Sequence, residues 1–413
     1  MRLIKKKKPE PPAIPAAARW RAMYEGGGSL KLAAAISAEA ARLTTLEFSS
    51  KIYGSKRADF LNGAYGYVTS QARHLCELAC ALGGVMLKPY VADGKIETAF
   101  VPADSFEVTR VSGSGNIIGA KFYDSFFADG KKYIKCEEHI PFGSGYIITN
   151  RAYCDRAGSV KEIPLSEVER WRTLEREVKI KNAPCPFFAY FRMPYTLPED
   201  LTSPLGAPIY ARAAGLIEDA GRQYERLLWE FESGERALYV DEAAVRRTIF
   251  GETALPDRRL YRMLNTGNDE LFNDWTPQLR DASIINGLER ILQRIEFNSG
   301  LAYGTISDPQ TVEKTAEEIR ASKQRSYATV VQIQNAMRTA LEGWARAADA
   351  LCSLYGIGGS GLYLMDFAFD DSIVADRAAE FDERMQLLRE GVITSEEMRS
   401  WYLGSSGEPP RGR

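Results

Sequence analysis

The residue types that could carry chemistry are few, and the densest group is His74, Cys76 and Cys80. Thiolates and imidazoles are the ligands that structural zinc prefers, and Cys136 with His139 would complete a set. However, Cys76 and Cys80 stand one helical turn apart in a segment with an apolar helical repeat. That spacing is typical of cysteines buried in a helix. The pattern therefore favours core packing, and we predict no metal site.

A glycine-rich run, GIGGSG at Gly356–Gly361, matches the letter pattern of a dinucleotide-binding loop. Loops of that type follow a strand and open a helix, whereas this run follows a helical pattern and precedes the strand pattern LYLMDFAF. The sequence has neither a Walker loop nor a GxSxG elbow, and His74 and His139 are its only histidines. We predict no catalytic residue, no cofactor and no enzymatic activity. The run is interpreted as a helix end followed by a turn.

Composition indicates a folded protein of more than one lobe. In 413 residues, 53 Lys and Arg against 55 Asp and Glu give a formal net charge of -2. Proteins that grip DNA usually carry a basic excess, so this balance argues against tight phosphate binding. No stretch reaches the ~18 apolar residues of a membrane span, so we expect no membrane contact. The six scattered cysteines do not suggest a disulfide framework and fit synthesis in a reducing cytoplasm.

The N-terminal half predicts a tail and a mixed α/β lobe. Lys5–Lys8 precede PEPPAIP, which predicts a disordered, solvated tail over residues 1–19. Helical repeats cover about 30–50 and 60–82. Five strand patterns separated by turn residues then predict an antiparallel meander. A proline-rich passage ends this lobe, which we place at residues 20–206.

Two further helical patterns follow, at about 208–232 and at 281–299. Between them, short strand patterns predict a small, partly β unit at 234–280. The second helix stops before Gly300, and the break LAYGTISDPQ (301–310) comes next.

The longest helical pattern begins after this break, where Ser307 or Asp308 can cap it. It runs without proline to about Tyr355. Its apolar row recurs every third or fourth residue, which predicts one continuous buried face. That row is Val330, Ile333, Met337, Leu341, Trp344, Ala348, Leu351 and Tyr355. A helix of this length is typical of a protein that bridges the layers of an assembly.

Four stretches, in order along the chain, point to one family. They are LACALGGVMLKPYV leading into VPADSFEVTR (78–110), SPLGAPIYARAAGLIEDAGRQYERLLWEF (203–231), EKTAEEIRASKQRSYATVVQIQNAMRTALEGW (313–344) and FDDSIVADRAAEFDERMQLLREGVITSEEMRSWYLG (369–404). Together they resemble bacteriophage portal proteins, the head–tail connectors that form the DNA-conducting pore. The similarity is greatest to the type found in long-tailed phages and prophages of Gram-positive bacteria. It spans most of the chain, from about residue 20 to 404.

The resemblance implies an α+β, portal-type protomer with its parts in a fixed order. In this chain they are an N-terminal tail (1–19), a mixed α/β wing (20–206), a first stem helix (207–233), a small β-containing clip (234–280), a second stem helix (281–299), a tunnel loop (300–311), a long wing helix (312–355) and a C-terminal strand with a short helical crown (356–413).

The same resemblance implies a homo-oligomeric ring, expected to be a dodecamer, at the portal vertex of the virion capsid. Double-stranded DNA would pass through its channel during packaging and ejection, and the tail would attach to it. The implied protein partners are the large terminase subunit, the head–tail adaptor, and the major capsid and scaffolding proteins. Assembly is expected in the bacterial host cytoplasm.

Residue roles are carried over from the resemblance position by position. The expected DNA-channel positions, in the tunnel loop and its flanks, are Leu301, Tyr303, Thr305, Ile306, Ser307, Asp308, Lys314, Arg290 and Arg294. The expected clip positions, facing the motor and the adaptor, are Tyr239, Phe250, Tyr261, Phe272 and Trp275, whose alternative role is to pack the clip's own core. Because Gly300 and Gly304 remove side-chain restraint, we expect the tunnel loop to be mobile.

Two other classes stay open. A different ring-forming head–tail connector or minor capsid protein should lack an insertion between two stem-like helices. A soluble enzyme with a helical lid, the remoter alternative, would require a pocket with convergent polar groups.

Overall fold

The computed structural model of the chain describes residues 17–26, 28–156, 158–234, 237–241, 261–264, 272–275, 278–309, 316–369 and 377–403. The fold is α+β, as predicted. The helices are α1 Ala18–Glu25, α2 Leu32–Thr45, α3 Lys56–Ser70, α4 Ala72–Leu82, α5 Ala214–Ser233, α6 Asp281–Ser299, α7 Ala316–Tyr355, α8 Arg377–Arg389 and α9 Ser395–Leu403. No helix within these ranges combines the length and apolar character needed to span a bilayer. The predicted tail falls largely on residues 1–16, which lie outside the described ranges.

The strands form several small sheets. They are β1 Ser49–Tyr53, β2 Gly84–Ala92, β3 Lys95–Pro102, β4 Phe106–Val111, β5 Ile117–Ala128, β6 Lys131–Phe142, β7 Gly145–Arg156, β8 Ser159–Ile163, β9 Glu177–Ile180, β10 Ala189–Arg192, β11 Ala237–Asp241, β12 Tyr261–Leu264, β13 Phe272–Trp275 and β14 Leu364–Ala368. One sheet has the order β4-β5-β6-β7-β8, with β9 beside β7, and a second has the order β10-β2-β3. The five predicted strands are β2, β3, β5, β6 and β7, and their antiparallel pairing is confirmed, but β2 and β3 lie in one sheet and β5, β6 and β7 in the other.

Turn chemistry explains the hairpins of the meander. Asp93 and Asp129 have φ of 48° and 50°, and the glycines that follow them, Gly94 and Gly130, have φ of 72° and 69°. Positive φ at both central residues is the geometry that matches the twist of a two-residue hairpin. The Asp-Gly pairs thus fix the register of β2 against β3 and of β5 against β6.

Helix α7 runs through the main hydrophobic core. The predicted row is buried from Ile333 to Leu351, but it ends there, since Tyr355 is 59% exposed. Trp344 joins three elements: its Nε1 donates to Thr98 Oγ1 of β3 at 2.8 Å, and its ring lies 5.3 Å from the Tyr65 ring of α3. The long helix therefore holds the N-terminal helices and the second sheet together.

The N-terminal lobe differs from the prediction in two places. The helical pattern at 60–82 is two helices, α3 and α4, which meet at Gln71. The pattern at 30–50 ends at Thr45 and is followed by β1, which pairs antiparallel with β14 near the other end of the chain. Strand β1 has the sequence SSKIY, which lacks an apolar alternation, and its partner lies more than 300 residues away.

The GIGGSG run is a packed turn between α7 and β14. Arg57 of α3, only 8% exposed, donates Nε to the Gly359 carbonyl at 3.0 Å. Its Nη1 lies 3.3 Å from both the carbonyl and the carboxylate of Asp349. A Cβ at Gly358, whose φ is 76°, would lie 2.5 Å from the Phe60 ring. The glycines are therefore explained by a close connection between two elements.

Candidate functional site

Helices α5 and α6 form an antiparallel pair. Their buried faces are formed by Ile217, Ala220 and Leu227 on α5 and by Leu288, Leu292 and Ile295 on α6. Near the end of α5, Glu230 accepts from the backbone N–H of Arg280 at 2.9 Å and from its Nη2 at 2.8 Å, just before α6 begins. Arg280 thereby lowers the pKa of Glu230. Because the end of α5 meets the start of α6, the intervening residues leave and return at the same end of the pair.

Three strands of the predicted clip are described at that end. The order is β12-β11-β13, with β11 parallel to β12 and antiparallel to β13. Four predicted clip residues, Tyr239, Tyr261, Phe272 and Trp275, are positions of these strands. Phe250 lies outside the described residues. The role of these five at an interface remains a prediction.

The opposite end of the pair carries a loop built around one buried carboxylate. Glu296 of α6 is 0% exposed. Its Oε1 accepts from the backbone N–H of Ile306 at 2.7 Å and of Ser307 at 2.9 Å. Its Oε2 accepts from the Gly304 N–H at 3.2 Å and from Ser307 Oγ at 2.9 Å. A carboxylate that accepts several buried donors fixes their positions, because each donor left unpaired would cost about 1–3 kcal/mol. We call residues 301–309 the held loop.

Helix α7 holds the same loop from the other side. Ser322 Oγ accepts from the Tyr303 N–H at 2.7 Å. The Arg325 guanidinium lies 4.4 Å from the Phe297 ring centre and 5.1 Å from that of Tyr303. At Gly300, where φ is 72°, a Cβ would lie 2.3 Å from Thr329 Oγ1. The loop is therefore wedged between α6 and α7.

These contacts correct the expectation that few contacts hold the loop and leave it mobile, at least for residues 301–309. Glycines remove side-chain restraint, but here the restraint comes from the backbone N–H donors that Glu296 and Ser322 bind. Leu301 and Ser307 were also expected to face a channel, and both are buried, at 1% and 4% exposure. The reason is that Leu301 packs in the core and Ser307 turns its hydroxyl to Glu296.

The remaining channel positions differ in exposure. Tyr303 and Thr305 are half-buried, Ile306 packs partly against the core, and Asp308 is exposed. Arg290 and Arg294 are exposed on the side of α6 that faces away from α5. Lys314 lies outside the described residues.

The candidate zinc ligands are not brought together. Cys76 and Cys80 are buried in the core. The hydrogen bond between the two thiols is the main cause that raises the pKa of Cys80, and burial is the second. Cys136 and His139 are three residues apart on β6, so their side chains point to opposite faces of the sheet. In the ranges described, no three His, Cys, Asp or Glu side chains converge on a common point.

His139 instead belongs to a largely buried charge cluster that sequence reasoning missed. Glu137 Oε1 accepts from Lys88 Nζ at 2.7 Å and lies 2.8 Å from His139 Nε2, and its Oε2 lies 3.2 Å from Lys135 Nζ. Burial opposes ionisation of Glu137, but Lys88, His139 and Lys135 together hold its pKa well below the ordinary range. Burial lowers the pKa of His139. We call these four residues the charge cluster.

Glu296 was also missed, although the sequence carries a signal for it. An acid in the buried row that contains Leu292, Ile295 and Ser299 requires internal donors, because a buried charge without partners is costly. Ser322 and Arg325 carried no comparable signal, because only the fold brings the first turns of α7 against the loop.

No family model matches the chain, and no curated protein matches it. Solved structures with a similar course of the chain include "Neck of native GTA particle computed with C12 symmetry", with a TM-score of 0.47, 12% identity, and coverage of 95% of this chain and 94% of the other. Another, "Neck of empty GTA particle computed with C6 symmetry", has a TM-score of 0.46 and 13% identity over the same shares. At this level of similarity, function has to be argued from the geometry of the chain itself.

Proposed function

We propose that this chain is a portal protein, the protomer of a ring at the capsid vertex of a phage-like particle. Double-stranded DNA would pass through the ring during packaging and ejection, and the tail would attach to it. The work is steric and electrostatic, so the protein itself makes and breaks no bond and requires no catalytic residue.

The observation that carries the proposal is the arrangement of parts around the α5–α6 pair. One end lies in the core, where Ala213 and Ile295 are 0% exposed, and the other end leaves Leu228 and Trp229 43% and 62% exposed. A separate three-stranded sheet joins the exposed end, and the held loop joins the core end to a 40-residue helix. This is the order expected of a stem that carries a clip away from a wing.

Electrostatics support passage of DNA without tight binding. The held loop contains no Lys or Arg, and its only charge is Asp308. Affinity for DNA phosphates grows with the number of basic contacts and the counterions that they release. A ring lined by Tyr303, Thr305, Ile306 and Asp308 would therefore touch DNA without gripping it. Channel roles for Lys314, Arg290 and Arg294 belong to the same proposal.

The two alternatives are less well supported. A connector without a clip has no use for an insertion between its stem helices, whereas strands β11, β12 and β13 lie between α5 and α6. An enzyme would need a pocket with convergent reactive groups. Two surface clefts of about 370 and 240 Å³ flank Ser203 and Leu205, and neither has a histidine or cysteine in its wall. Their walls do hold acids and arginines, but in the smaller cleft Arg19 and Glu199 are paired with each other.

The first test is assembly. Purified protein should form closed rings of about twelve copies, visible by negative-stain microscopy as particles with a central hole. Native mass spectrometry should give one dominant ring mass. If the protein stays monomeric across salt and protein concentration, the proposal fails and the enzyme alternative gains.

The second test concerns the clip. Replacing residues 236–278 with a short linker should keep the ring and remove a protrusion from one of its faces, together with docking of the packaging motor. The α5–α6 contact is complete without this segment, so the ring should survive. A deletion variant that cannot fold or form rings would contradict the clip assignment.

The third test concerns the channel. Thr305→Lys would add a ring of positive charge without touching Glu296, and it should slow DNA packaging in a manner relieved by higher salt. Asp308→Asn is the matched control at the same loop, and it should leave passage nearly unchanged. Normal packaging by the lysine variant at low salt would remove the channel assignment of the loop.

A further inference from the structure

The outer faces of α5 and α6, opposite to the faces that join the pair, carry opposite charges. On α5 this face holds Glu218, Glu225 and Glu232 at seven-residue spacing, and all three are exposed. Arg222 shares the face but is already paired with Asp219.

On α6 the outer face holds Asn286, Arg290 and Arg294, all exposed and none acidic, while Phe297, one turn further on, is already covered by Arg325 of α7. Among the described residues, Glu218, Arg290 and Arg294 form no ion pair, and the only hydrogen bond of Arg290 is a long one of 3.4 Å to Gln293. The acidic face of α5 and the basic face of α6 therefore point away from each other on one helix pair, and Glu218, Arg290 and Arg294 form no ion pair within the described ranges.

The register of the pair fixes the heights of these charges. Glu230 lies against Arg280, and Gln223 Nε2 donates to the Ile284 carbonyl at 3.4 Å, which sets how far one helix is displaced along the other. At 1.5 Å per residue, Glu218 lies roughly 18 Å from the Glu230 end. Arg290 and Arg294 lie roughly 15 and 21 Å from the same end. Glu218 thus lies between the two arginines in height.

We infer that, in the ring proposed above, the outer face of α5 in one copy packs against the outer face of α6 in the next. Rotation about an axis parallel to the pair preserves height, so Glu218 would meet Arg290 and Arg294 of the neighbouring copy. Trp229, which is 62% exposed on the same face, would be covered by the same contact. Such a contact is heterologous, because each copy uses two different faces, and a heterologous contact can close into a ring.

This inference rests on the proposed ring and gives Arg290 and Arg294 a different role within it. A channel would use them as sparse positive rings toward DNA. The neighbour is the better partner, because an unpaired acid lies at the matching height and the α6 face holds no acid of its own.

The test is a pair of charge reversals, E218R and R290E/R294E, each prepared alone and then mixed at equal concentration. Alone, each variant would place like charges across every interface, so the ring fraction should fall by about tenfold or more. In the mixture, every interface is complementary only if the two variants alternate. Native mass spectrometry should then recover rings with an even number of subunits and equal numbers of each variant.

The matched control is E225R, the same change on the same face. Glu225 lies roughly 8 Å from the Glu230 end, level with Asn286 of the neighbour, so rings should persist. If E225R disrupts rings as strongly as E218R, the register is wrong. If both reversal variants assemble like wild type and only DNA passage changes, the arginines face the channel and the inference is wrong.

A second measurement is independent of how well the charge variants fold. The double variant E218C/R290C, oxidised after ring assembly, should give a ladder of crosslinked copies on a denaturing gel, whereas E225C/R290C should not. Monomers only, from rings that are intact in the microscope, would overturn the inference while leaving the ring itself standing. Absence of rings in the wild type would instead count against the proposed function.

Discussion

Two carboxylates, the fully buried Glu296 and the largely buried Glu137, find their partners in opposite ways. Glu296 accepts only from neutral donors, namely backbone N–H groups and one hydroxyl of the held loop. Glu137, in the charge cluster, is bound by two ammonium groups, those of Lys88 and Lys135, and by His139. One site is satisfied by hydrogen-bond geometry and the other mainly by opposite charge.

The two carboxylates also differ in how far along the chain their partners lie, and this determines which part of the structure each one stabilises. All donors to Glu296 lie 8 to 11 residues further along the chain, so the site organises one local loop. The partners of Glu137 come from β6 itself and, through Lys88, from β2 of another sheet. Breaking the first should open a loop, and breaking the second should weaken the lobe.

The largest effect is expected from Lys88→Met. It removes the bridge between the two sheets and leaves Glu137 with one ammonium group, and breaking a buried ion pair typically costs about 3–5 kcal/mol. Because Lys135 remains, we expect a loss of about 3 kcal/mol in the free energy of unfolding, measured by chemical denaturation.

The control is Lys121→Met, which removes a half-exposed ammonium 3.7 Å from Glu107. Exposed pairs contribute about 0–1 kcal/mol, so this variant should unfold nearly like wild type. Equal losses of unfolding free energy in the two variants would mean that the charge cluster stabilises the fold no more than an exposed ion pair does.

Glu296→Gln should have the next largest effect. An amide offers one acceptor oxygen and turns an NH2 group toward N–H donors, so one or two donors of the loop lose their partner, at about 2 kcal/mol in total. Hydrogen exchange should accelerate at the amides of Gly304, Ile306 and Ser307 and leave the sheets of the N-terminal lobe unchanged. Glu289→Gln, which affects a single bond to the Asp308 N–H, should accelerate exchange far less.

Sequence reasoning succeeded where a local pattern decides the structure. The apolar row of α7 and the Asp-Gly turns of the meander each specify an element without help from distant residues. It failed where a partner comes from far along the chain, as for β1, which is polar and pairs with β14. The split at Gln71 was missed because one helical period continues across it.

The candidate site shows the same division. The helix pair and the break after it were predicted, because helix stops and apolar rows are written in the sequence. The fixed conformation of the held loop was not predicted. Gly300 and Gly304 indicate a flexible backbone unless Glu296 is recognised as an acid in an apolar row, which requires donors from nearby. The charge cluster could not be foreseen, because Lys88 and Glu137 meet only once two sheets are in place.

A smaller effect is expected from mild acid, and it concerns the charge cluster. Burial lowers the pKa of His139, so between about pH 6.5, its ordinary unfolded value, and its folded value only the unfolded chain takes up the proton. Stability should therefore fall as the pH drops below about 6.5. The low pKa of Glu137 adds a second loss, as pH falls below about 4.5 and through its folded value.

His139→Phe, which keeps a ring between Phe122 and Phe188, should flatten the upper part of this profile. The lower part should shrink but persist, because Lys88 and Lys135 still lower the pKa of Glu137. The measurement is the denaturation midpoint at intervals between about pH 2.5 and 8, so that both losses are covered. An unchanged slope between pH 5.5 and 6.5 in the variant would show that another group controls the acid response.

The smallest effect on global stability is expected from Arg325→Lys. This variant is informative because it shows which amides of the loop exchange faster. A lysine keeps the charge but loses the planar stack on Phe297 and Tyr303, at about 1 kcal/mol. The change also removes Nη1, which is buried without a hydrogen-bond partner and whose desolvation offsets part of that loss. We therefore expect less than about 1 kcal/mol in global stability, with faster exchange at Tyr303 and little change at the amides bound to Glu296. If Arg325→Lys opens those amides as far as Glu296→Gln does, the loop is held by α7 rather than by its carboxylate, and the contrast between Glu296 and Glu137 loses its basis.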